Sequence, residues 1–253
     1  MPISSDGLVA GKSILVTGAG SGIGQATAIL LAREGAGVVL GDVDEFGGEE
    51  TVRRIKAAGG NACFLRTDVA VAADLDALIA LATERFGRLD GAVNNAGIDP
   101  EADPAMRWEE AAYDRLAAVN GKSVFLCMQR EIAEMRRGSG GSIVNIGSIV
   151  SFGGAPGRPA YVAFKHAVIG LTRTAALEFA GAGIRVNAVC PGGISTPLME
   201  KDQALKKAVA DSNPMRRLGE ASEVAECIAW LLSDRSSYVN GHSIVVDGGV
   251  MAA

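Results

Sequence analysis

Short apolar runs of strand length alternate with longer helical patterns along the whole chain, and this alternation restricts the possible fold more than any other feature. The predicted strands cover residues 13–17, 38–40, 63–65, 89–93, 142–146, 185–189 and 243–246. The predicted helices cover residues 22–34, 45–58, 73–86, 108–137, 160–180 and 222–233, the fourth with a break near Asn120. Apolar strands joined through helices favour a sheet that is buried on both faces. We therefore predict an α/β fold, a doubly wound parallel sheet of about seven strands with helices on both faces.

The length of the chain predicts a single domain. Its 253 residues are 48% hydrophobic, and α/β proteins of this size often fold around one core. No low-complexity segment divides the sequence, so residues 1–253 are expected to form one domain. Residues 191–218 contain Pro191, Pro197 and Pro214 and are the least regular part, and we predict that they form a mobile flap. Residues 97–106 are also predicted to form a loop.

Charge and composition argue against several classes of partner. The formal net charge is −5, and no basic block suggests binding to nucleic acid or to a membrane surface. The N-terminal residues lack the pattern of a secretory signal, and no apolar stretch approaches the ~20 residues that span a bilayer. The four cysteines are widely spaced, and two histidines are few for a metal site. We expect a cytoplasmic enzyme with reduced thiols, no metal and a small-molecule substrate.

The predicted first strand runs into a glycine-rich turn at residues 17–24, which read TGAGSGIG. Glycines allow a sharp turn and let an anion approach the backbone, and the first N–H groups of the next helix can bind that anion. The spacing fits TGxxxGxG, whereas GxGxxG fails because Ile23 or Gln25 stands at the required third glycine. A tight turn without a ligand is the alternative, but the position between a strand and a helix favours dinucleotide binding.

Asp42 ends the predicted second strand, close to the ~20 residues after the turn expected of an acid that binds the adenosine ribose. A carboxylate there accepts hydrogen bonds from both ribose hydroxyls and repels a 2′-phosphate. Asp42 therefore favours NAD over NADP. The alternative is a solvated acid at the end of a strand.

Tyr161 and Lys165 are four residues apart, which places them on one face of a predicted helix. A phenol is a poor base at neutral pH, and a nearby cation lowers its pKa. The pair therefore predicts an acid/base catalyst. An aromatic residue with a surface lysine is the alternative reading. Ser148 follows the predicted fifth strand, where α/β sheets present ligand-binding groups, and Asn120 could hold a water for proton transfer.

These motifs together resemble the classical short-chain dehydrogenases/reductases over essentially the whole chain, from Gly11 to residues 246–249. The matching segments are TGxxxGxG at 17–24, Asp68-Val69, NNAG at 94–97, Asn120, Ser148, YxxxK at 161–165 and Pro191-Gly192 with Thr196. The resemblance implies a Rossmann-type dinucleotide-binding domain. It also implies that Tyr161 is the acid/base, that Lys165 lowers its pKa and holds the nicotinamide ribose, and that Ser148 binds the substrate oxygen.

The resemblance implies further roles along the chain. Asn120 is similar to a relay asparagine, and Ile194 and Thr196 match positions that contact the carboxamide. The implied cofactor site comprises Gly18, Ser21, Gly22, Ile23, Gly24, Asp42, Val43, Asp68, Val69, Asn95, Ala96, Gly97, Tyr161, Lys165, Pro191, Gly192, Ile194 and Thr196. Members that prefer NADP usually carry a basic residue at the position of Ser21 or Val43, so both residues favour NAD.

The expected substrate site follows the catalytic motifs and is mostly apolar. Its candidate residues are Ile98, Ser148, Val150, Phe152, Gly193, Leu198 and Met199, with Ile149 and Met215 nearby. Core or interface packing is the alternative role for several of them. Gly193 is expected to make residues 191–193 flexible. We predict a neutral, hydrophobic or cyclic secondary alcohol or ketone as substrate.

The resulting prediction is an NAD-dependent oxidoreductase that transfers a hydride between the cofactor and a secondary alcohol or ketone. A 3-oxoacyl-(acyl-carrier-protein) reductase is the alternative enzyme, for which Arg136, Arg137, Arg216 and Arg217 could form a docking patch. A dinucleotide-binding scaffold without catalysis is a remote alternative. The resemblance also implies a homotetramer, with residues 108–137 and 160–180 pairing across one two-fold axis and the tail at 248–253 near another.

Overall fold

Seven parallel strands form the central sheet of this computed structural model, which describes residues 7–99, 110–200 and 203–252, without the side chains of Leu198 and Glu200. The strands are β1 (Ser13–Thr17), β2 (Gly37–Asp42), β3 (Asn61–Arg66), β4 (Gly91–Asn94), β5 (Gly141–Ile146), β6 (Ile184–Pro191) and, last in the sheet, β9 (Ser243–Val246). Two short strands, β7 (Ile194–Ser195) and β8 (Gly219–Glu220), pair separately. The predicted fold class is therefore confirmed.

The helices connect these strands and cover the sheet. They are α1 (Gly22–Arg33), α2 (Glu45–Ala57), α3 (Ala72–Phe86), α4 (Glu110–Leu116), α5 (Ser123–Met135), α6 (Pro159–Phe179), α7 (Pro197–Glu200), α8 (Gln203–Ser212) and α9 (Ala221–Leu232). One buried cluster packs α1 and α9 against the sheet through Leu31 and Ile228. A second cluster packs α3, α5 and α6 through Leu78, Val124 and Val168. The two clusters explain why the strands are apolar on both faces.

The order of the strands fixes where a ligand can bind. The order in the sheet is β3-β2-β1-β4-β5-β6-β9, so the winding direction reverses between β1 and β4. Ligands of such sheets bind in the crevice at the carboxyl ends of the strands where that reversal occurs. β1 ends at Thr17 and β4 ends at Asn94, so the glycine turn and the NNAG segment leave the sheet side by side.

The long predicted helix at residues 108–137 differs from the structure. Its proposed start at Trp108 lies outside the described residues, and α4 is described from Glu110. A π-helical segment, Ala117–Lys122, separates α4 from α5 and contains Asn120. Such segments are rare and often mark functional sites. The predicted break is therefore a change in helical winding that leaves the chain continuous.

The segment 191–218 is more regular than predicted. Its described residues contain β7, α7, α8 and the turn toward β8. Pro197 is the first residue of α7, and Pro214 follows α8. Proline is tolerated at the first helical position because that N–H needs no partner within the helix. These two prolines therefore lie at or near the ends of helices. Separately, none of the helices in the described ranges is long and apolar enough to cross a membrane.

Candidate active site

The glycine turn between β1 and α1 is held tightly against the segment that follows β4. Gly18 and Gly22 have φ angles of +65° and +53°, in the region that favours glycine. A Cβ atom at Gly18 would lie 2.8 Å from Nδ2 of Asn95, and one at Gly24 would lie 2.0 Å from the Gly18 carbonyl oxygen. These three predicted glycines therefore provide a close backbone approach that no side chain allows.

Asn95 and Thr17 fasten this turn to β4. The Asn95 Nδ2 donates to the carbonyl oxygens of Thr17 and Gly18, at 2.9 and 3.0 Å. Thr17 Oγ1 accepts the backbone N–H groups of Asn95 and Ala96, each at 3.1 Å, and donates to the Val93 carbonyl at 3.3 Å. The structure thus brings Asn95 and Ala96 to the turn, and the bracing role of the Thr17 hydroxyl is one that sequence analysis missed.

The start of α1 fits a pyrophosphate. Ser21 is the N-cap residue of α1, and it has an extended backbone and an exposed side chain. Within the described part of the chain, its hydroxyl makes no cap bond to α1. The first turn of α1, which contains Ile23, has no acidic residue. A Cβ atom at Gly22 would lie 3.3 Å from the Thr196 methyl group, so the segment after β6 reaches over the turn. The uncapped N–H groups and the positive helix end suit an anion.

Asp42 lies at the end of β2 and faces the glycine turn. Its Oδ2 accepts the Gly20 N–H at 2.7 Å, and its Oδ1 accepts the Asp44 N–H at 2.9 Å. A carboxylate offers about four acceptor positions, so two further positions can accept hydrogen bonds from a ligand. Val43, the next residue, is 54% exposed and uncharged.

Asp68 and Val69 follow β3 at the same edge of the sheet. Asp68 Oδ1 accepts the Ala70 N–H at 2.9 Å, and the Asp68 N–H donates to Asp74 Oδ2 at 2.8 Å. The Val69 side chain is buried in a small cluster with Leu75 and Cys127. Most of that side chain therefore serves packing, and an adenine contact from either residue stays a prediction.

Ser148 and Tyr161 come together at the carboxyl end of β5. Ser148 caps a short 3-10 turn, Ile149–Ser151, and accepts the Val150 N–H at 3.4 Å. Ser151 Oγ accepts the Ser148 N–H at 3.1 Å and donates to the Lys165 carbonyl oxygen at 2.8 Å, which ties the turn to α6. The Ser148 side chain is hydrogen-bonded to Tyr161. An oxygen held between these two hydroxyls would be placed for proton transfer.

Lys165 lies one helical turn after Tyr161 and is almost fully buried, at 7% exposure. Its Nζ donates to the Ile146 carbonyl oxygen at 2.8 Å and lies 5.6 Å from the centre of the Tyr161 ring. Burial lowers the pKa of Lys165 to about 8, while Cys190 and Asp99 oppose that shift. Tyr161 and Lys165 thus lie on one face of α6, as predicted, and the Lys165 ammonium is anchored to the end of β5.

The pKa of Tyr161 differs from the sequence-based expectation. Burial, followed by the negative charge of Asp99, raises the pKa of Tyr161 to about 12, and Ser148 and Arg158 oppose these effects. We predicted that Lys165 would lower this pKa. That expectation is wrong for the protein alone, because loss of solvation and the charge of Asp99 outweigh the effects of Ser148 and Arg158. The phenol is therefore protonated at neutral pH.

Asn120 positions the loop that follows β4. Its Oδ1 accepts the Ile98 N–H at 2.9 Å and its Nδ2 donates to the Ile98 carbonyl oxygen at 2.8 Å. A Cβ atom at Gly97 would lie 3.5 Å from Asn120 Oδ1 and 3.9 Å from Lys165 Nζ. The amide therefore holds the backbone of Ile98 beside Lys165, and a bound water at Asn120 remains a prediction.

The predicted substrate residues follow several strand ends. Ile98, Val150 and Met199 are half-buried, and Phe152 is 38% exposed. The Leu198 side chain lies outside the described residues. Met215 is 57% exposed.

The segment after β6 is packed where sequence analysis predicts flexibility. Pro191 and Ile194 are buried, and the Gly192 N–H donates to the Val246 carbonyl oxygen at 3.0 Å. A Cβ atom at Gly193 would lie 2.4 Å from Val209 Cγ1. The prediction that Gly193 makes residues 191–193 flexible is therefore wrong. This glycine permits close packing against α8.

Two charged residues near the site have no signal in the sequence motifs. Asp99 Oδ2 lies 3.0 Å from Nη1 of Arg158, the residue that precedes α6. Sequence analysis predicts only a loop at residues 97–106, and Arg158 is missed altogether. The spacing of 59 positions between them carries no pattern, so only the folded chain pairs them.

Several known proteins are similar to this chain in sequence, and a known crystal structure is also similar in fold. The sequence profile of a family described as Enoyl-(Acyl carrier protein) reductase matches residues 18–251. The 2,5-dichloro-2,5-cyclohexadiene-1,4-diol dehydrogenase of Sphingobium indicum is 41% identical over 249 residues, covering 96% of this chain and 98% of that protein. The 3-oxoacyl-(acyl-carrier-protein) reductase of Thermotoga maritima is 40% identical, covering 95% and 98%. The crystal structure of levodione reductase matches with a TM-score of 0.93 at 37% identity, covering 96% of this chain and 99% of that chain.

Proposed function

Since this chain belongs to the short-chain dehydrogenase/reductase family, we propose that it is an NAD-dependent oxidoreductase that interconverts a secondary alcohol and a ketone. The observation that carries the proposal is the grouping of Ser148, Tyr161 and Lys165 at the carboxyl end of β5, the strand next to β4, where the winding direction reverses. The family and the fold imply a dinucleotide cofactor.

Ser148 and Tyr161 hold the reacting oxygen. In ketone reduction the protonated Tyr161 donates its proton to the carbonyl oxygen. The hydrogen bond between Ser148 and Tyr161 keeps the two hydroxyl groups close together. In alcohol oxidation the phenolate accepts the hydroxyl proton. The bound dinucleotide supplies the hydride donor or acceptor and, when oxidised, a positive charge. A positive charge near Tyr161 favours the phenolate and offsets the effect of burial.

Lys165 and Asn120 position the catalytic oxygen and its surroundings. The Lys165 ammonium, held by the Ile146 carbonyl, provides a fixed positive charge beside the ring of Tyr161, and in the proposed mechanism it holds the nicotinamide ribose. Asn120 keeps Ile98 in place beside it, and a water bound to its amide would extend a path for the proton.

NAD is the proposed cofactor because of the charge at the end of β2. Asp42 is fixed by the N–H groups of Gly20 and Asp44 and presents its remaining acceptor positions to a ribose. A 2′-phosphate would meet this negative charge, and neither Ser21 nor Val43 offers a compensating cation. Initial rates with NAD and NADP at equal concentrations test the assignment, and a preference for NADP would contradict it.

A neutral, hydrophobic or cyclic substrate is proposed from the apolar candidates Ile98, Val150, Phe152 and Met199. One of the relatives supports a cyclic substrate, since its name describes a cyclohexadiene diol. We further propose that residues 1–253 form one dinucleotide-binding domain, with residues 191–218 as its substrate segment. A panel of cyclic and linear secondary alcohols, followed through reduction of NAD, tests the substrate class. Turnover restricted to linear alcohols would contradict it.

A 3-oxoacyl-(acyl-carrier-protein) reductase is the second candidate, because a relative at 40% identity carries that name. Its expected docking patch is weakened by ion pairs. Arg217 makes two bonds of 2.7 Å to Glu223, and Arg137 is 2.8 Å from Glu134. Arg216 donates to the Asp211 carbonyl oxygen. Arginines already engaged in this way attract an acidic carrier less, so we favour a free small-molecule substrate over a carrier-bound one. A scaffold without catalysis would show no turnover with any alcohol in the panel.

A homotetramer is proposed from the family resemblance and from exposed apolar side chains. Phe125 on α5 is 50% exposed and Leu177 on α6 is 86% exposed, so the outer faces of these helices carry apolar surface that a subunit contact would bury. Sedimentation velocity tests this, and a monomer would contradict it. We also propose a cytoplasmic location, supported by four cysteines that all remain free thiols.

A further inference from the structure

An ion pair of restricted exposure lies beside the proposed catalytic residues. Asp99 Oδ2 is 3.0 Å from Arg158 Nη1, and the two side chains are 10% and 33% exposed. Asp99 follows Ile98, whose backbone is bonded at both its N–H and its carbonyl to Asn120. Arg158 directly precedes α6, which carries Tyr161. The pair is therefore fixed by the segments that position Asn120 and Tyr161.

The chain that leads to Asp99 passes close to the reaction centre. A Cβ atom at Gly97 would lie 3.9 Å from Lys165 Nζ, and Asp99, two residues later, acts electrostatically on Lys165. Its negative charge raises the pKa of Tyr161 and also that of Lys165. Arg158 lowers the pKa of Tyr161, but by less than Asp99 raises it. The negative member of the pair therefore dominates at the phenol.

We propose that Asp99, restrained by Arg158, is a specificity-determining residue that disfavours negative charge at the Tyr161 oxygen and on the substrate beside it. The inference rests on the proposed function, because it assigns a charge preference to the same substrate site. An alcohol with a carboxylate on its ring would meet the Asp99 charge in a partly buried site, where screening by water is weak. A neutral ring alcohol or a diol would not be repelled.

Other groups that face Tyr161 bear on the same equilibrium. Ser148 from the end of β5 is hydrogen-bonded to it, and Lys165 lies below its ring. Cys190, at the end of β6, faces Lys165, and burial raises the pKa of its thiol to about 11. Ser148, Lys165 and Cys190 are all retained when Asp99 or Arg158 is replaced. A shift caused by either substitution therefore reports the ion pair.

The test compares cyclohexanol with 3-hydroxycyclohexanecarboxylate, which differ by one carboxylate, as substrates for oxidation by the intact enzyme. In Asp99→Asn, the ratio of kcat/KM for the carboxylate to that for cyclohexanol should rise about tenfold over wild type. The acid limb of the pH profile for cyclohexanol should move to lower pH, because the phenolate forms more easily. Arg158→Gln should change both quantities in the opposite direction. Asp114→Asn on α4 and Arg173→Gln on α6 replace exposed charges of the same types and serve as matched controls.

The possible outcomes separate this inference from the proposed function. No turnover by the wild-type enzyme of either alcohol, or of any other alcohol in the panel, would overturn the proposed function and this inference with it. A second outcome is that the wild type turns over the alcohols, but the kcat/KM ratios and the acid limbs of the pH profiles in both variants match those of the controls. That outcome would overturn the charge preference alone. Opposite shifts in Asp99→Asn and Arg158→Gln support it, because a structural defect in either variant would not produce effects of opposite sign.

Discussion

The Nζ atom of Lys165 lies 5.6 Å from the centre of the Tyr161 ring and donates to the carbonyl oxygen of Ile146. The ammonium is therefore anchored to the sheet and placed below the ring, and in the protein alone the phenol stays protonated. Burial lowers the pKa of Lys165 to about 8 and raises that of Tyr161 to about 12. Both shifts disfavour the charged forms on which the proposed chemistry depends.

Replacing Lys165 should separate activity from stability. The folded state holds the Lys165 pKa below its unfolded value of 10.5, so wild-type stability rises as pH increases from about 8 to about 10.5. Below pH 8 the buried ammonium costs on the order of 3 kcal/mol. We expect Lys165→Met to lose about 100-fold or more in kcat, since it loses the fixed positive charge. At pH 7 its thermal midpoint should equal or exceed that of wild type.

Thermal unfolding of Lys165→Met and wild type at pH 7 and pH 10 provides the measurement. The advantage of the variant should shrink at the higher pH. A variant that is clearly less stable than wild type at pH 7 would show that the hydrogen bond to Ile146 outweighs the cost of burying the ammonium.

Asp42 should set the preference for NAD through its charge. Asp42→Asn keeps an oxygen that can accept the Gly20 N–H but removes the negative charge. The ratio of kcat/KM for NAD to that for NADP should fall by about tenfold or more. Asp44→Asn, at a neighbouring position with its own exposed carboxylate, is the control and should leave the ratio unchanged. An unaltered ratio in Asp42→Asn would remove the ribose role from this residue.

Glu131 on α5 should make stability decline with pH. Burial raises the pKa of this carboxyl to about 8, although Asn94 donates to its Oε2 at 3.0 Å. Its Oε1 has no hydrogen-bond partner among the described residues. A raised carboxyl pKa means that the contribution to stability is complete below about 4.5 and is lost as pH rises to about 8. The loss is on the order of 4 kcal/mol.

Glu131→Gln should remove this decline, because an amide stays neutral. The free energy of unfolding, measured with urea between pH 5 and pH 9, should fall less in this variant than in wild type. Glu178→Gln, at an exposed position on α6, should follow the wild-type curve. Parallel curves for Glu131→Gln and wild type would mean that Glu131 is ionised in the folded protein.

Sequence alone predicts most of this fold because its signals are local. The apolar run at β1 and the glycines at residues 18–24 each determine the conformation of the chain around them. The YxxxK spacing likewise places Tyr161 and Lys165 on one face of α6. The Asp99–Arg158 pair and the Asn94–Glu131 bond join residues far apart in the chain, and no spacing rule predicts them. The pKa of Tyr161 was mispredicted for the same reason, since burial depends on every element packed around the side chain.

The segment 191–218 shows a different limit. Its prolines predict an irregular chain, yet Pro197 begins a helix. Gly193 predicts flexibility, yet it allows close contact with Val209. A proline or glycine has the same appearance in the sequence whether it begins a helix, allows packing or loosens a loop, and only the neighbouring elements decide among these roles.

The turnover of Tyr161→Phe is the most direct test of proton transfer by Tyr161. The substitution removes only the phenolic oxygen, so NADH binding, followed by its fluorescence, should remain within a few-fold of wild type. The rate of oxidation of a cyclic secondary alcohol should fall by about 100- to 10,000-fold, as expected when a general acid/base is lost. Turnover close to the wild-type rate with intact NADH binding would contradict the assignment of proton transfer to Tyr161.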